Sequence, residues 1–129
     1  MGVDNLGLYQ ELLLDHYKNP RHRGLITNPS FTSEEYNPSC GDTVEISCIV
    51  TDSGIQEIGF VGAGCIISQA LASLVAEKSM SATLDEILSW NKESVLSWIN
   101  NMTLGPTRMK CALMALEALQ SGLRRYLKK

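Results

Sequence analysis

Apolar and polar residues alternate from Thr43 to Thr51. Four apolar residues fall on one face of an extended chain: Val44, Ile46, Cys48 and Val50. The intervening positions Glu45, Ser47 and Thr51 are predicted to point mostly to the other face. Because successive side chains of a strand point to opposite sides, this period of two predicts a half-buried β-strand.

A turn at Asp52-Ser53-Gly54 follows, and the stretch from Ile55 to Val61 is predicted as an antiparallel return strand. A further short edge strand is predicted from Phe31 to Tyr36. An isolated hairpin is only marginally stable in water, so helices must cover this sheet.

The helices are predicted from apolar spacing and from capping residues, such as Thr83 with Glu86 and proline after Gly105. They cover Leu6 to Tyr17, Ile66 to Lys78, a short segment opened by Thr83 and ending at Trp90, Lys92 to Ile99, and Pro106 to about Leu127. No linker or low-complexity segment interrupts the chain, so residues 1–129 are predicted to form a single α+β domain.

Charge and composition argue against some classes of function. The formal charge of −3 disfavours general nucleic-acid binding. The N-terminus has no signal-peptide pattern, and no apolar run reaches membrane-spanning length, so we expect a cytoplasmic protein without a membrane partner. Thiols stay reduced in the cytoplasm. The four cysteines are therefore expected to be metal ligands, nucleophiles or core residues and not disulfides.

The places of the cysteines relative to the predicted strands indicate different roles for them. Cys48 shares the apolar face of its strand and is expected to be a buried, inert thiol. Cys40 precedes that strand and Cys65 follows the return strand, so the hairpin brings both to one edge of the sheet. Cys65 also lies at a helix N-terminus, where the dipole and the unpaired amides favour a thiolate. The alternative is a small residue that only fills a tight strand-to-helix turn.

Cys111 lies in the last helix beside its apolar stripe, on a face that continues with small residues. The stripe comprises Met109, Ala112, Leu113, Leu116, Leu119 and Leu123, and the small residues are Ala115, Ala118 and Gly122. Three thiolates from Cys40, Cys65 and Cys111, with the Asp42 carboxylate, could complete a four-coordinate zinc site or hold an iron–sulfur cluster. The spacing matches no compact metal module, and nothing in it assigns His16 or His22 as ligands.

The N-terminal helix is followed by a basic segment, Lys18 to Arg23, that is expected to be exposed. Two interpretations stay open: a docking surface for a partner, or a solvated helix exit.

Four local motifs together resemble the iron–sulfur cluster assembly scaffold family that comprises IscU, SufU and the N-terminal domain of NifU. In chain order they are Leu13-Leu14-Asp15-His16-Tyr17-Lys18-Asn19-Pro20-Arg21, Asn37-Pro38-Ser39-Cys40-Gly41-Asp42, Gly62-Ala63-Gly64-Cys65-Ile66-Ile67-Ser68-Gln69-Ala70 and Arg108-Met109-Lys110-Cys111-Ala112. The resemblance covers nearly the whole chain. It implies a small antiparallel sheet of about three strands packed on helices.

The resemblance also implies the roles of the site residues. Cys40, Cys65 and Cys111 would be the sulfur ligands of a transient [2Fe–2S] cluster or of zinc, and Asp42 the fourth or labilising ligand. A cysteine desulfurase would deliver persulfide sulfur, and recipient apoproteins would take the finished cluster.

Two positions depart from the family pattern. Lys110 precedes the last cysteine, as in SufU, where IscU has histidine, yet the spacing from Cys65 to Cys111 has the IscU length. The IscU motif Leu-Pro-Pro-Val-Lys is matched only by Leu104-Gly105-Pro106-Thr107-Arg108, which puts recruitment of a dedicated Hsp70 chaperone in doubt.

The leading hypothesis is a non-enzymatic scaffold for cluster assembly. The alternative is a zinc-bound sulfurtransferase partner of a desulfurase. In that alternative Cys111 is the candidate persulfide acceptor, and Lys110 is either a stabiliser of its thiolate or an ordinary exposed helix residue.

Overall fold

Three antiparallel strands form one sheet in the order β1-β2-β3, in a computed structural model that describes residues 11–38 and 41–128. The strands are β1 (Phe31–Asn37), β2 (Asp42–Thr51) and β3 (Gly54–Ala63). The helices are α1 (residues 11–18 in the described range), α2 (Ile66–Ser79), α3 (Leu84–Ser89), α4 (Lys92–Trp98) and α5 (Pro106–Leu127). The predicted α+β fold is confirmed. Residues 6–10 of the predicted first helix lie outside the described residues.

The observed strands are longer than predicted at the end of the sheet where Cys40 and Cys65 were expected to meet. Asn37 lies opposite Asp42 on the last rung between β1 and β2, and Thr43 lies opposite Ala63 between β2 and β3. The register shifts once, between Ile49 and Val50. The strand ends before and after the hairpin therefore meet at one edge of the sheet, as the sequence predicted.

The helix α5 is buried on two sides, because it packs on both α2 and β1. Most of the predicted apolar stripe is buried, although Met109 and Leu113 are only half-buried. The predicted face of small residues is buried as well, and at Gly122 it meets Phe31 and Ser33 of β1. The expectation that small residues allow close packing is thus confirmed, with a strand as the neighbour.

Gly122 yields a stability prediction. An alanine in an open helix interior usually adds about 1 kcal/mol relative to glycine. At position 122, however, a Cβ would overlap the Phe31 ring and lie 2.7 Å from the Ser33 Cβ, which is fixed to the backbone. We expect Gly122→Ala to lower the free energy of unfolding by about 1–3 kcal/mol, measured by urea denaturation. Ser121→Ala on the same helix is the control and should cost nothing, and a stabilised Gly122→Ala would contradict the packing.

The face opposite the apolar one is partly covered: Ser47, predicted to point to that face, is 1% exposed. The segment after α1 covers that face, because the Ile26 N–H donates to the Ser47 hydroxyl at 2.9 Å. The same segment pairs with β3, where the Gly24 N–H donates to the Phe60 carbonyl at 2.7 Å. Alternation indicates which side chains share a face, but not whether a distant segment lies on it.

The basic segment Lys18 to Arg23 is only partly exposed. Lys18 and Arg23 are exposed, whereas Arg21 is half-buried and its guanidinium lies 2.6 Å from Asp15 and 4.0 Å from Glu77 of α2. The expectation of uniform exposure is therefore wrong at Arg21, which is drawn inward by these two carboxylates. The docking interpretation stays a prediction.

His16 is a buried polar residue, 2% exposed, between α1 and α2. Its Nδ1 lies 2.8 Å from the Ser73 hydroxyl, which also accepts the Arg21 N–H at 2.8 Å. Its Nε2 faces Glu77 at 3.8 Å. This network joins α1, the following segment and α2.

The His16 network yields a pH prediction. Burial lowers the pKa of His16 below 6.5; the positive charge of Arg21 adds to this, while Glu77 and Asp15 oppose it. The unfolded chain therefore binds the proton at a higher pH than the folded protein. The stability from neutral His16 is present above about pH 6.5 and is lost as the pH falls through the lowered pKa.

We expect the free energy of unfolding of the metal-free protein to fall as the pH drops below about 6.5, measured by urea denaturation with a chelator present. His16→Gln should flatten this dependence, and His22→Gln, at an exposed position, should retain it. An unchanged slope in His16→Gln would assign the dependence to other groups.

No helix in the described residues is both long enough and apolar enough to cross a membrane.

Candidate metal centre

Three of the four predicted ligands meet at the edge of the sheet. Asp42 begins β2, Cys65 precedes α2, and Cys111 lies near the start of α5. One ligand atom from each lies within 4.8 Å of the other two. Cys40, the fourth predicted ligand, lies outside the described residues.

Asp42 is buried, at 2% exposure, and holds Cys65 in two ways. Its Oδ1 accepts the Cys65 N–H at 3.1 Å, and its Oδ2 lies 3.1 Å from the Cys65 Sγ, which donates as a thiol. The carboxylate fits because Gly64 has no side chain and adopts φ +140°. A glycine before the helix is therefore needed to let the carboxylate reach the cysteine.

Cys65 is the exposed member of the group and the N-cap of α2. Its Sγ accepts the Ser68 N–H at 3.5 Å, which satisfies one of the free donors of the first turn. The Ser68 hydroxyl in turn accepts a hydrogen bond from the Gln69 amide at 3.2 Å. The Ser68 hydroxyl also donates to the Cys65 carbonyl at 3.1 Å, so the start of α2 fixes both the backbone and the sulfur of Cys65.

Cys111 is 2% exposed and lies against β1. The Asn37 amide, itself 7% exposed, donates to the Cys111 Sγ at 3.8 Å. Sequence reasoning did not assign Asn37 a role. The signal that could have found it is its place at the start of the Asn-Pro-Ser-Cys-Gly-Asp motif, opposite Asp42.

A cavity of about 800 Å³ opens beside the two thiols, which both line it. Its other walls come from α1, the start of α2, the segment before α5 and the start of α5. They are largely apolar and include Leu13, Leu14, Ile66, Ile67 and Leu104, with Arg108 adding a positive charge. The buried Cys111 sulfur can therefore be approached from this cavity.

Cys48 and Lys110 are not part of this group of ligand atoms. Cys48 is completely buried in β2, and burial raises the pKa of its thiol to about 12, which confirms the prediction of an inert core cysteine. Lys110 is exposed. Adjacent helix residues point about 100° apart, so its side chain leaves α5 in a different direction from the buried Cys111 sulfur.

The donor set agrees with the chemistry expected for zinc or iron. Thiolates are soft ligands that select zinc and iron–sulfur clusters, and the Asp42 carboxylate adds a harder oxygen donor. The three ligands come from separate elements, so the fold brings them together although the sequence contains no compact metal-binding motif.

The chain is similar to known proteins over most of its length. The chain is 30% identical over 133 residues to the iron–sulfur cluster assembly scaffold protein IscU of Thermotoga maritima, covering 92% of this chain and 94% of that protein. It is 29% identical over 132 residues to the zinc-dependent sulfurtransferase SufU of Bacillus subtilis, covering 90% and 89% of the two chains.

A crystal structure of the N-terminal part of a NifU-like protein from Brucella abortus has the same fold, with a TM-score of 0.79 at 18% identity, covering 100% of this chain and 99% of that one. The sequence profile of the NifU-like N-terminal domain matches residues 8–129. By this match over almost its whole length, the chain belongs to the NifU-like N-terminal domain family.

Proposed function

We propose that this protein is a scaffold on which a transient [2Fe–2S] cluster is assembled and from which it is passed to recipient apoproteins. This proposal rests on the group formed by Asp42, Cys65 and Cys111, whose ligand atoms lie within 4.8 Å of one another. Cys40 adjoins this group in sequence and is proposed as the remaining sulfur ligand.

The donor set suits a cluster that must be both built and released. Thiolates bind iron–sulfur clusters firmly, and a cage made only of thiolates would retain its cargo. The Asp42 oxygen is a harder and weaker ligand for such a cluster, so it makes one corner of the site labile. The cavity beside the exposed Cys65 gives a path for an incoming sulfur donor and for an apoprotein that removes the cargo.

Direct analysis of metal and acid-labile sulfide tests this proposal. Protein purified without oxygen, and then incubated with ferrous iron, cysteine, a cysteine desulfurase and a thiol reductant, should contain iron and sulfide in equal amounts. It should also transfer them to an apo-ferredoxin. Stoichiometric zinc without labile sulfide, and no cluster after reconstitution, would contradict the scaffold function.

A second function, zinc-bound sulfurtransferase partner of a desulfurase, is favoured by Lys110. This lysine precedes the last cysteine, as in SufU, and the chain is similar to a zinc-dependent sulfurtransferase. In this function Asp42 and the cysteines would hold the zinc. A cysteine thiolate not bound to it would attack the outer sulfur of the desulfurase persulfide, and breaking of that S–S bond would release the desulfurase cysteine as a thiolate. We propose Cys111 as that acceptor, with the ammonium charge of Lys110 favouring its released thiolate.

Lys110→Ala separates the two functions. If the protein is a sulfurtransferase, the variant should slow sulfide release by the desulfurase several-fold while changing cluster reconstitution little. Mass spectrometry after incubation with desulfurase and cysteine should place the extra sulfur atom on Cys111. Extra sulfur on Cys40 or Cys65, with Lys110→Ala behaving as wild type, would exclude this role for the lysine.

Both functions share a cysteine desulfurase as the partner that supplies sulfur. Recruitment of a dedicated Hsp70 chaperone is not part of the proposal, because Leu104 to Arg108 only partly matches the recognition motif of IscU.

A further inference from the structure

Asn37 and Asp42 form a matched pair on the last rung between β1 and β2. Side chains directly opposite each other in an antiparallel pair share one face of the sheet, and both residues are buried here. Asp42 contacts Cys65, and Asn37 contacts Cys111. One rung of the sheet therefore holds both described cysteines of the metal centre, one through a carboxylate and the other through an amide.

The backbone of Asn37 adds a second link. Its carbonyl accepts the Gly41 N–H at 2.7 Å, which closes the connection between β1 and β2. That connection carries Cys40 in the sequence. Asn37 thus ties the segment bearing Cys40 and Asp42 to the helix bearing Cys111.

We propose that Asn37 is a positioning residue of the metal centre, whose amide N–H orients the Cys111 sulfur and withdraws charge from it when it ligates a metal. The inference rests on the metal binding that both proposed functions require. It goes beyond them by assigning a role to a residue that is not itself a ligand.

The physical basis is the effect of a hydrogen bond on a ligating thiolate. An N–H donor stabilises the sulfur lone pairs, so the thiolate gives less electron density to the metal, and hydrogen bonds to sulfur are among the factors that set cluster potentials. Without the donor, the charge-transfer transition from the thiolate sulfur to the metal should need less energy. Loss of an outer-shell partner also costs about 10–100-fold in metal affinity, because the ligand is no longer held in place.

The test uses the full-length, metal-free protein with Co²⁺ as the spectroscopic probe. We expect Asn37→Leu, which keeps the branching at Cγ but removes the donor, to move the thiolate-to-cobalt charge-transfer band to longer wavelength and to weaken Co²⁺ binding about 10–100-fold. Asn37→Ala should shift the band in the same direction, and it serves if the leucine variant folds poorly by circular dichroism.

Ser33→Ala is the matched control, since Ser33 is buried on the same face of β1 but meets α5 at Gly122. It should leave the band and the affinity unchanged. A wild-type band position in both Asn37 variants, or the same shift in Ser33→Ala, would overturn the role of Asn37 and leave the metal centre intact. Failure of the wild-type protein to bind Co²⁺ would overturn the metal centre and the proposed function with it.

Discussion

Replacing Cys65 or Cys111 by serine will weaken zinc binding by more than about 100-fold, whereas replacing Cys48 by alanine will leave the zinc affinity unchanged. The first two sulfurs belong to the group whose ligand atoms lie within 4.8 Å of one another, and Cys48 is enclosed in the core. A serine hydroxyl stays protonated near neutral pH and is a poor replacement for a thiolate. Even outer-shell changes cost about 10–100-fold in affinity, so loss of a ligand should cost more.

The affinities can be measured under reducing, anaerobic conditions by competition with a coloured zinc chelator. Cys48→Ala should lower the free energy of unfolding by on the order of 1 kcal/mol, because it leaves a small cavity in the core. This variant therefore tests whether a general loss of stability is enough to release the metal. Zinc loss in Cys48→Ala, or wild-type affinity in Cys65→Ser, would contradict the assignment of the ligands.

The convergence of Asp42 and Cys65 could be predicted because it depends on local patterns. A period of two from Thr43 to Thr51, a turn and a return strand determine which chain ends meet, and the residues at those ends follow directly. The strand boundaries shifted by only one or two residues. Those shifts nevertheless matter, since Asp42 belongs to β2 and its backbone is therefore fixed by the sheet.

The hydrogen bond between Asn37 and Cys111 could not be predicted from the same patterns. It depends on the register of β1 against β2 and on the packing of α5 on β1, and both join residues far apart in sequence. The burial of His16 could not be predicted for a similar reason. It depends on the packing of α1 on α2, where His16 forms a hydrogen bond with Ser73, 57 residues away in sequence.

The second large effect is expected at Gly64, where alanine should weaken zinc binding and lower the free energy of unfolding by about 2 kcal/mol or more. Gly64 adopts φ +140°, a conformation that costs about 1–3 kcal/mol for other residues. A Cβ there would also overlap the Asp42 carboxylate, whose own Cβ would be only 2.8 Å away. The carboxylate would have to move, and it would then lose its hydrogen bonds to the Cys65 N–H and Sγ.

Two comparisons separate backbone strain from displacement of the carboxylate. Gly24→Ala introduces a Cβ at φ +113° with no atom within 4 Å, so it should lower stability through strain while zinc affinity stays at the wild-type level. In an Asp42→Ala background the overlap is relieved, and Gly64→Ala should cost less stability there than in the wild-type protein. Urea denaturation of the four proteins of this double-mutant cycle gives the coupling between positions 42 and 64. Zero coupling would show that Gly64 acts through its backbone conformation alone and not by making room for the Asp42 carboxylate.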